Sequence, residues 1–148
     1  MPKETEQLSD HGSGSYRLDD QIGFLLRRAQ QRHLSIFSEL MPEFTPTQFA
    51  AMAKLDETGP QSQNELGRLA GMDAATIKGV IDRLRKRGFI TSKRDARDQR
   101  RIYLDLTDAG RSQFRDSANR ARQITVRTVE GLSVDEHKQL TSLLRKLI

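Results

Sequence analysis

Apolar residues recur at a helical period near the start of the chain. From Leu18 to Leu40 they fall on one stripe, spaced roughly 3.6 residues apart, which predicts a long helix over residues 17–40. Phe24 and Leu34 lie well off this stripe. A helix with apolar residues on a second side usually contacts another element there as well. A partner subunit is the simplest candidate for that contact.

Four later helices carry capping signals at their start. Each begins with a Ser, Thr or Asp whose side chain can accept a hydrogen bond from the backbone of the first turn. The expected N-caps are Thr45, Ser62, Asp73 and Ser133. All but Asp73 are followed three residues later by Gln or Glu, which would complete a capping box. The helix that starts at Asp73 is expected to end at Gly88.

Residues 89–106 depart from the helical pattern. Ile102, Leu104 and Leu106 alternate with polar residues, and the segment that begins at Phe89 also has strand character. A charged stretch joins the two, so the pattern predicts a β-hairpin with a basic tip. A long polar helix with a narrow apolar seam is predicted to follow, over residues 107–130.

Together these elements predict a mainly α fold with a small β-hairpin wing. A short helix, a tight turn at Gly71, a second helix and a basic hairpin follow in the order of a winged helix-turn-helix. In the second helix one face carries short side chains early, flanked by donors, as a helix that enters the major groove requires. The stripe predicted to be buried on that helix consists of Ile77, Val80, Ile81 and Leu84.

Charge strengthens this interpretation because of where it is placed. The chain of 148 residues has a net charge of +5 at pH 7. Residues 78–101 contain ten Lys and Arg and three Asp, a net charge of +7, whereas the remainder has 15 basic and 17 acidic residues, a net charge of −2. Concentrated positive charge of this kind indicates a polyanionic partner, here duplex DNA.

Residues 17–148 resemble the MarR family of regulators. The matching stretches are residues 45–49, 66–70, 73–77, 82–88, 95–101 and 106–110. The most specific are the wing pair Asp98 and Arg100 and the Leu-Thr-x-x-Gly motif at 106–110. The resemblance implies a single domain that forms a homodimer and binds a pseudo-palindromic operator. It further implies that the protein is a repressor. Its winged module would span about 45–106, and its dimerisation helices about 17–41 and 107–148.

The resemblance also assigns roles to residues of the winged module. It implies that Arg100 reaches the minor groove while Asp98 orients it. Many members have an arginine where this chain has Gly79, so base readout is expected to shift to Lys78 and Arg83. The full set of predicted DNA-binding residues is Gln63, Ala75, Thr76, Lys78, Gly79, Arg83, Arg97, Asp98, Arg100 and Arg101.

The first helix resembles those of members that sense aromatic carboxylates or their coenzyme A thioesters. An apolar pocket with one or two fixed cations suits such a ligand. The predicted ligand-binding residues are Phe24, Arg27, Arg28, His33, Phe37 and Phe49. Two plainer interpretations remain open: His33 as a packed core histidine, and Arg27 and Arg28 as solvated helix charges.

Other features narrow the function classes. The chain has no cysteine, which excludes disulfides and cysteine-based oxidation sensing. The three histidines have no metal-ligand spacing and no phosphate-binding loop is present, so neither an enzyme, a metal site nor a cofactor is expected. No apolar run approaches the roughly 18 residues of a membrane span, so we expect a cytoplasmic protein without membrane contact.

Residues 1–16 are polar and rich in Gly and Ser towards their end, which predicts a disordered tail.

A helical interaction module with a basic surface is one alternative to the regulator. An architectural DNA-binding protein without a small-molecule ligand is another.

Overall fold

The computed structural model describes residues 14–148, so the predicted tail at 1–16 lies mostly outside the described residues. A 3-10 turn at Leu18–Asp20 precedes the first helix. The remaining elements are α1 (Ile22–Leu40), α2 (Pro46–Thr58), α3 (Gln63–Ala70), α4 (Ala74–Lys86), β1 (Ile90–Arg94), β2 (Ile102–Leu106), α5 (Asp108–Thr128) and α6 (Val134–Arg145). The predicted class, helices with a small β-hairpin, is confirmed.

Helix α1 begins later than the apolar stripe predicts. The backbone N–H of Gln21 closes the 3-10 turn on Leu18, and Gln21 itself is extended, with φ −86° and ψ 134°. An extended residue cannot continue a helical hydrogen-bond ladder, so α1 starts at Ile22. The predicted start at residue 17 is therefore wrong by five positions.

All four predicted N-caps are confirmed, and the capping box is complete in two of the three cases where it was predicted. Thr45 and Ser133 each form a complete reciprocal capping box. At α3 the Ser62 hydroxyl accepts from the backbone N–H of Glu65 at 3.2 Å, but the Glu65 carboxylate binds Arg68 instead of returning to the cap. An arginine one turn away offers that carboxylate a stronger, charge-assisted partner than a backbone N–H.

Helices α3 and α4 pack together through the tight turn that the sequence predicts. Gly71 ends α3 in the left-handed conformation with φ +69°, which favours glycine. Asp73 then accepts a hydrogen bond from the backbone N–H of Thr76 at 2.7 Å and starts α4. Helix α4 ends at Lys86, two residues before the predicted Gly88. The predicted buried stripe, Ile77, Val80, Ile81 and Leu84, is confirmed.

The hairpin pairs β1 with β2 antiparallel, from Ile90 opposite Leu106 to Arg94 opposite Ile102. The burial of β2 does not follow the predicted alternation. Leu104 and Leu106 are buried, but Ile102 is half exposed because it lies towards the tip. Asp105, between the two leucines, is buried as well, beside Lys93 (3.7 Å) and Arg111 (3.7 Å). A buried carboxylate needs such cationic partners.

The junction between β2 and α5 gives the Leu-Thr-x-x-Gly motif a physical meaning. The Thr107 hydroxyl caps α5 by accepting from the N–H of Gly110 (3.0 Å), and it donates to the carbonyl of Gly88 (2.6 Å). The Thr107 N–H donates to the carbonyl of Phe89 at 3.0 Å. Gly110 lies so close to that carbonyl that an added Cβ would stand 2.2 Å from its oxygen. The motif therefore joins the end of α4, the wing and the start of α5.

Helix α1 packs along α5, next to the winged module formed by α2, α3, α4 and the hairpin. Among residues 14–148, no helix combines the length and the apolar character that crossing a membrane would take.

We expect Gly110→Ala to destabilise the protein substantially. The new methyl group would collide with backbone rather than with a flexible side chain, so α5 would have to separate from the hairpin. Overpacking of this kind costs about 1–3 kcal/mol or more. Thermal unfolding followed by circular dichroism measures the change. The matched control is Gly23→Ala, where nothing lies within 4 Å of the added Cβ; equal melting temperatures for the two variants would contradict this account of the junction.

Candidate DNA interface and ligand site

The outward face of α4 is open to a partner. Ala75, Thr76, Lys78 and Arg83 are exposed, and Gly79 is half-buried. The opposite face is packed into the core, so α4 is held firmly while its other side stays accessible. The predicted groove-facing residues thus share one surface of one well-anchored helix.

A chain of polar contacts ties this face to the wing. Asp82 pairs with Lys78 at 3.1 Å and with Arg85 at 3.4 Å. Arg85 also donates to the hydroxyl of Ser92, on β1, at 2.8 Å. The hydrogen bond from Lys78, with smaller contributions from neighbouring cations, holds the pKa of Asp82 below its ordinary value. The carboxylate therefore stays ionised and keeps Lys78 on the helix surface.

Arg83 lies beside the bare backbone of Gly79. A Cβ added at Gly79 would stand 3.7 Å from Nη1 of Arg83, an ordinary van der Waals contact. An alanine at Gly79 would therefore fit beside the Arg83 guanidinium without displacing it. A guanidinium can donate two hydrogen bonds to the major-groove edge of guanine.

The wing tip is ordered by two aspartates that bind backbone. Oδ1 of Asp95 accepts from the N–H of Arg97 at 2.9 Å, and Oδ1 of Asp98 accepts from the N–H of Arg100 at 3.1 Å. Asp98 also lies 3.6 Å from Nε of Arg100 and 3.9 Å from Nε of Arg101. The Arg100 side chain is 95% exposed. Asp98 thus fixes the backbone at Arg100, while the Arg100 side chain remains exposed.

Gln63 and the wing arginines lie on neighbouring elements. Gln63 is the half-buried first residue of α3. Two positions before it, Gln61 exchanges two backbone hydrogen bonds with Leu104 of β2, at 3.0 and 2.7 Å. A shallow groove between these elements is lined by Ser62, Arg100, Arg101, Ile102 and Tyr103. The start of α3 and the wing therefore form one continuous surface.

The predicted ligand residues form two separate groups within one protomer. His33, Phe37 and Phe49 stand in a row, with ring centroids 6.5 Å and 6.4 Å apart. Phe49 continues the row to Phe114 of α5, at 5.3 Å. This row lies where α1, α2 and α5 meet.

The second group lies on another side of α1. The guanidinium groups of Arg27 and Arg28 lie 5.4 Å and 5.9 Å from the ring centre of Phe24. Phe24 and His33 are nine positions apart, which at about 100° per residue places them on opposite sides of the helix. The six predicted residues therefore do not line one pocket in a single protomer.

His33 has a defined hydrogen-bond role. The hydroxyl of Thr128 donates its proton to the carbonyl of Ile124 at 2.7 Å, so it can only accept from Nδ1 of His33, 3.0 Å away. In the neutral ring this leaves Nε2 as an acceptor. Thr128 was not foreseen from the sequence, since the contact joins residues 95 positions apart. Phe114 was foreseen as part of an apolar seam but not as part of this site.

Comparisons with known proteins agree with this geometry. The MarR family model matches residues 44–102. The HTH-type transcriptional repressor NicR of Pseudomonas putida is 36% identical over 148 residues, covering 99% of this chain and 94% of NicR. The crystal structure of a probable transcriptional regulator from Pseudomonas aeruginosa is 49% identical, with a TM-score of 0.86, and covers 89% of this chain and 100% of that one.

A further solved structure is that of Bordetella bronchiseptica BpsR, whose DNA binding is regulated by 6-hydroxynicotinic acid. It is 36% identical, with a TM-score of 0.86, and covers 90% of this chain and 97% of BpsR. The fold and the exposed basic face define a winged helix-turn-helix transcriptional regulator. More particularly, the chain belongs to the MarR family.

We expect Arg100→Ala to weaken DNA binding at least about tenfold and to leave the fold intact. Among residues 14–148 the Arg100 side chain forms one ion pair, with the half-exposed Asp98, so its loss removes little from the free protein. In a narrow minor groove the same guanidinium meets an enhanced negative potential. Asp98→Ala should cost less, because it only loosens the tip.

Anisotropy of a labelled duplex, selected by the protein from a random pool, measures the affinity. The matched control is Arg17→Ala, which removes an exposed arginine that also pairs with an aspartate, Asp20, but lies outside the winged module. Unchanged affinity for Arg100→Ala would refute the role of the wing, and loss of folding would show that Arg100 is structural.

Proposed function

We propose that this regulator is a repressor that binds a pseudo-palindromic duplex as a homodimer and is released by a small aromatic acid. The proposal includes a non-enzymatic role in the cytoplasm. Its DNA contacts come from the residues named above on α3, α4 and the wing. The observation that carries the proposal is the row His33–Phe37–Phe49, which lies where the long helices α1 and α5 meet the winged module.

The row offers what an aromatic acid needs. Phe37 is buried and Phe49 is half-buried. Their ring faces and edges would form the apolar side of a site for a flat ligand. Nε2 of His33 can accept from a ring hydroxyl or, when the imidazole is protonated, donate to a carboxylate. NicR and BpsR both align with nearly the whole chain, and BpsR responds to 6-hydroxynicotinic acid. A hydroxylated nitrogen-ring carboxylate is therefore the first ligand class to test.

The dimer is supported by an apolar groove between α1 and α6. The groove is lined by Ile22, Leu25, Leu26, Ala29, Leu140, Leu143, Leu144 and Leu147. Its leucines and isoleucine are 40–68% exposed. A contiguous apolar surface of this kind indicates an interface, and a twofold dimer would cover it with the same surface of a second copy. Both ends of the chain thus contribute to dimerisation.

We expect sedimentation equilibrium at micromolar concentration to give twice the chain mass of 16.9 kDa. Leu143→Asp should dissociate or unfold the dimer, because it places a charge in the apolar groove. Ser142→Asp, at an exposed position on the neighbouring polar face of α6, is the matched control. A well-folded monomer of the wild-type chain at this concentration would refute the proposal.

We expect 6-hydroxynicotinic acid, or a benzoate-like or hydroxycinnamate-like acid or its thioester, to weaken operator affinity at least tenfold. That factor requires about 1.4 kcal/mol of preference for a conformation unsuited to DNA. His33→Ala should abolish the response, whereas His137→Ala, which removes another half-buried histidine, should keep it. Arg27→Ala and Arg28→Ala test the second group of residues.

The outcomes separate the alternatives. If no acid releases the DNA, the chain is an architectural DNA-binding protein or senses another class of ligand. If release survives His33→Ala but not Arg27→Ala or Arg28→Ala, the ligand binds beside Phe24. If the chain binds no duplex with a steep salt dependence, the helical interaction module is the better description.

A further inference from the structure

Two arginines from distant parts of the chain bind the loop between α1 and α2. Arg120 of α5 donates to the carboxylate of Glu43 and to the carbonyl of Leu40 (3.1 Å), the last residue of α1. Arg87, which follows the last residue of α4, donates to the backbone carbonyl of Glu43 at 2.6 Å. Glu43 is therefore the one residue that both arginines contact among those the structure describes.

Each arginine is held in a single geometry. The Arg87 guanidinium lies over the adjacent rings of Phe44 and Phe89, 4.8 Å and 4.9 Å from their centres, which are 5.9 Å from each other. Two cation–π contacts and two hydrogen-bond acceptors restrict a planar guanidinium. Its second acceptor is the side chain of Gln48, at 3.4 Å.

The Arg120 end is equally defined. Arg120 also donates to the fully buried hydroxyl of Ser117 (3.3 Å), and its side chain is 35% exposed against 24% for that of Glu43. The hydrogen bond from Arg120, opposed by partial burial, holds the pKa of the Glu43 carboxyl below its ordinary value. An ion pair with this degree of burial is screened less by salt than an exposed one.

These contacts connect the dimerisation helices to the recognition helix. Arg120 lies on α5 and binds the last residue of α1, Leu40, whereas Arg87 directly follows the last residue of α4. In a twofold dimer the position of α4 relative to α5 determines how far apart the two recognition helices stand. The connection matters for DNA because each added base pair moves a half-site by about 3.4 Å and rotates it by about a tenth of a turn.

We propose that Glu43, held between Arg120 and Arg87, is a positioning residue that fixes the separation of the two recognition helices and so the operator spacing that the dimer accepts. This inference rests on the proposed binding of two half-sites. Glu43 lies in the loop between α1 and α2, outside the predicted set of DNA-binding residues. Its loss therefore changes which spacing is tolerated rather than which bases are read.

A second ion pair of the same helices provides a matched control. Glu39 of α1 binds Arg127 of α5 through two hydrogen bonds, at 3.0 and 3.1 Å. This pair joins α1 to α5 as the Glu43 pair does, but it has no contact with α4. Glu39→Gln and Glu43→Gln each remove one carboxylate that binds an arginine of α5, and of the two residues only Glu43 also offers its backbone carbonyl to Arg87, next to α4.

The experiment measures affinity for the selected duplex and for duplexes with one base pair added or removed between half-sites. Wild-type protein should prefer the selected duplex to those of altered spacing. We expect this preference to be roughly three- to thirtyfold weaker in Glu43→Gln. It should fall likewise in Arg87→Lys, which keeps the charge but loses the planar fork. Glu39→Gln should discriminate like wild type. Melting temperatures of all variants are measured alongside.

A second measurement needs no DNA. Because the chain has no cysteine, Ala75→Cys on the exposed face of α4 accepts one spin label per protomer. Pulsed electron–electron distances should be narrowly distributed in that background and broadened when Glu43→Gln is added. This readout reports helix position directly, so a variant of lower stability still gives an answer.

Three results would overturn the inference. Unchanged discrimination and an unbroadened distance in Glu43→Gln would show that Glu43 does not position α4. Equal loss in Glu39→Gln would show a general loosening of α1 and α5. Indifference of the wild-type protein to spacing would remove the binding of two half-sites as well, which distinguishes failure of the proposed function from failure of this inference alone.

Discussion

The close approach of Gly110 to the carbonyl of Phe89 is the constraint on which the arrangement depends. It brings α5 directly against the backbone that links the recognition helix to the wing. Thr107 uses its N–H on Phe89 and its hydroxyl on Gly88, so the polar groups of this crowded turn are satisfied. The junction thus holds the start of α5 against the base of the hairpin.

Hydrogen bonds to backbone N–H groups also order the tip of the wing. Asp95 and Asp98 satisfy backbone N–H groups inside the tip, so its path is fixed before any ligand arrives. Only the side chains of the arginines remain to be ordered in a complex. Ordering a long side chain costs up to about 2 kcal/mol, and ordering backbone would add to that for every residue. A preordered tip therefore leaves more of the electrostatic attraction available as affinity.

Charge on the recognition helix is arranged differently from charge on the wing. Lys78 shares the carboxylate of Asp82 with Arg85, whereas the Arg100 side chain is 95% exposed and lies 3.6 Å from Asp98. A neutralised pair on α4 adds little long-range attraction but restricts where the donors point. Under the proposed function, the wing supplies attraction to DNA and α4 supplies geometry. This division agrees with the general separation between backbone contacts that position a protein and base contacts that specify its site.

Much of the fold and part of the site could be predicted from the sequence. Helix starts at Thr45, Asp73 and Ser133 depend on groups three residues apart, and the buried stripe of α4 depends on a period that any reader of the chain can count. The charge concentrated in residues 78–101 predicted the DNA face, because charge composition does not need coordinates. Even the separation of Phe24 from His33 follows from helical geometry.

What the tertiary structure alone decided are the contacts between residues far apart in the chain. His33 meets Thr128, and Glu43 meets Arg120, 77 positions away. No local spacing encodes such pairs, since they depend on how α5 lies across α1. Competition for a partner was equally hidden: Glu65 could have closed a capping box or bound Arg68, and Asp105 became buried because Lys93 and Arg111 were brought to it. Local hydrogen bonds are set by sequence distance, whereas the partners of long charged side chains are set by packing.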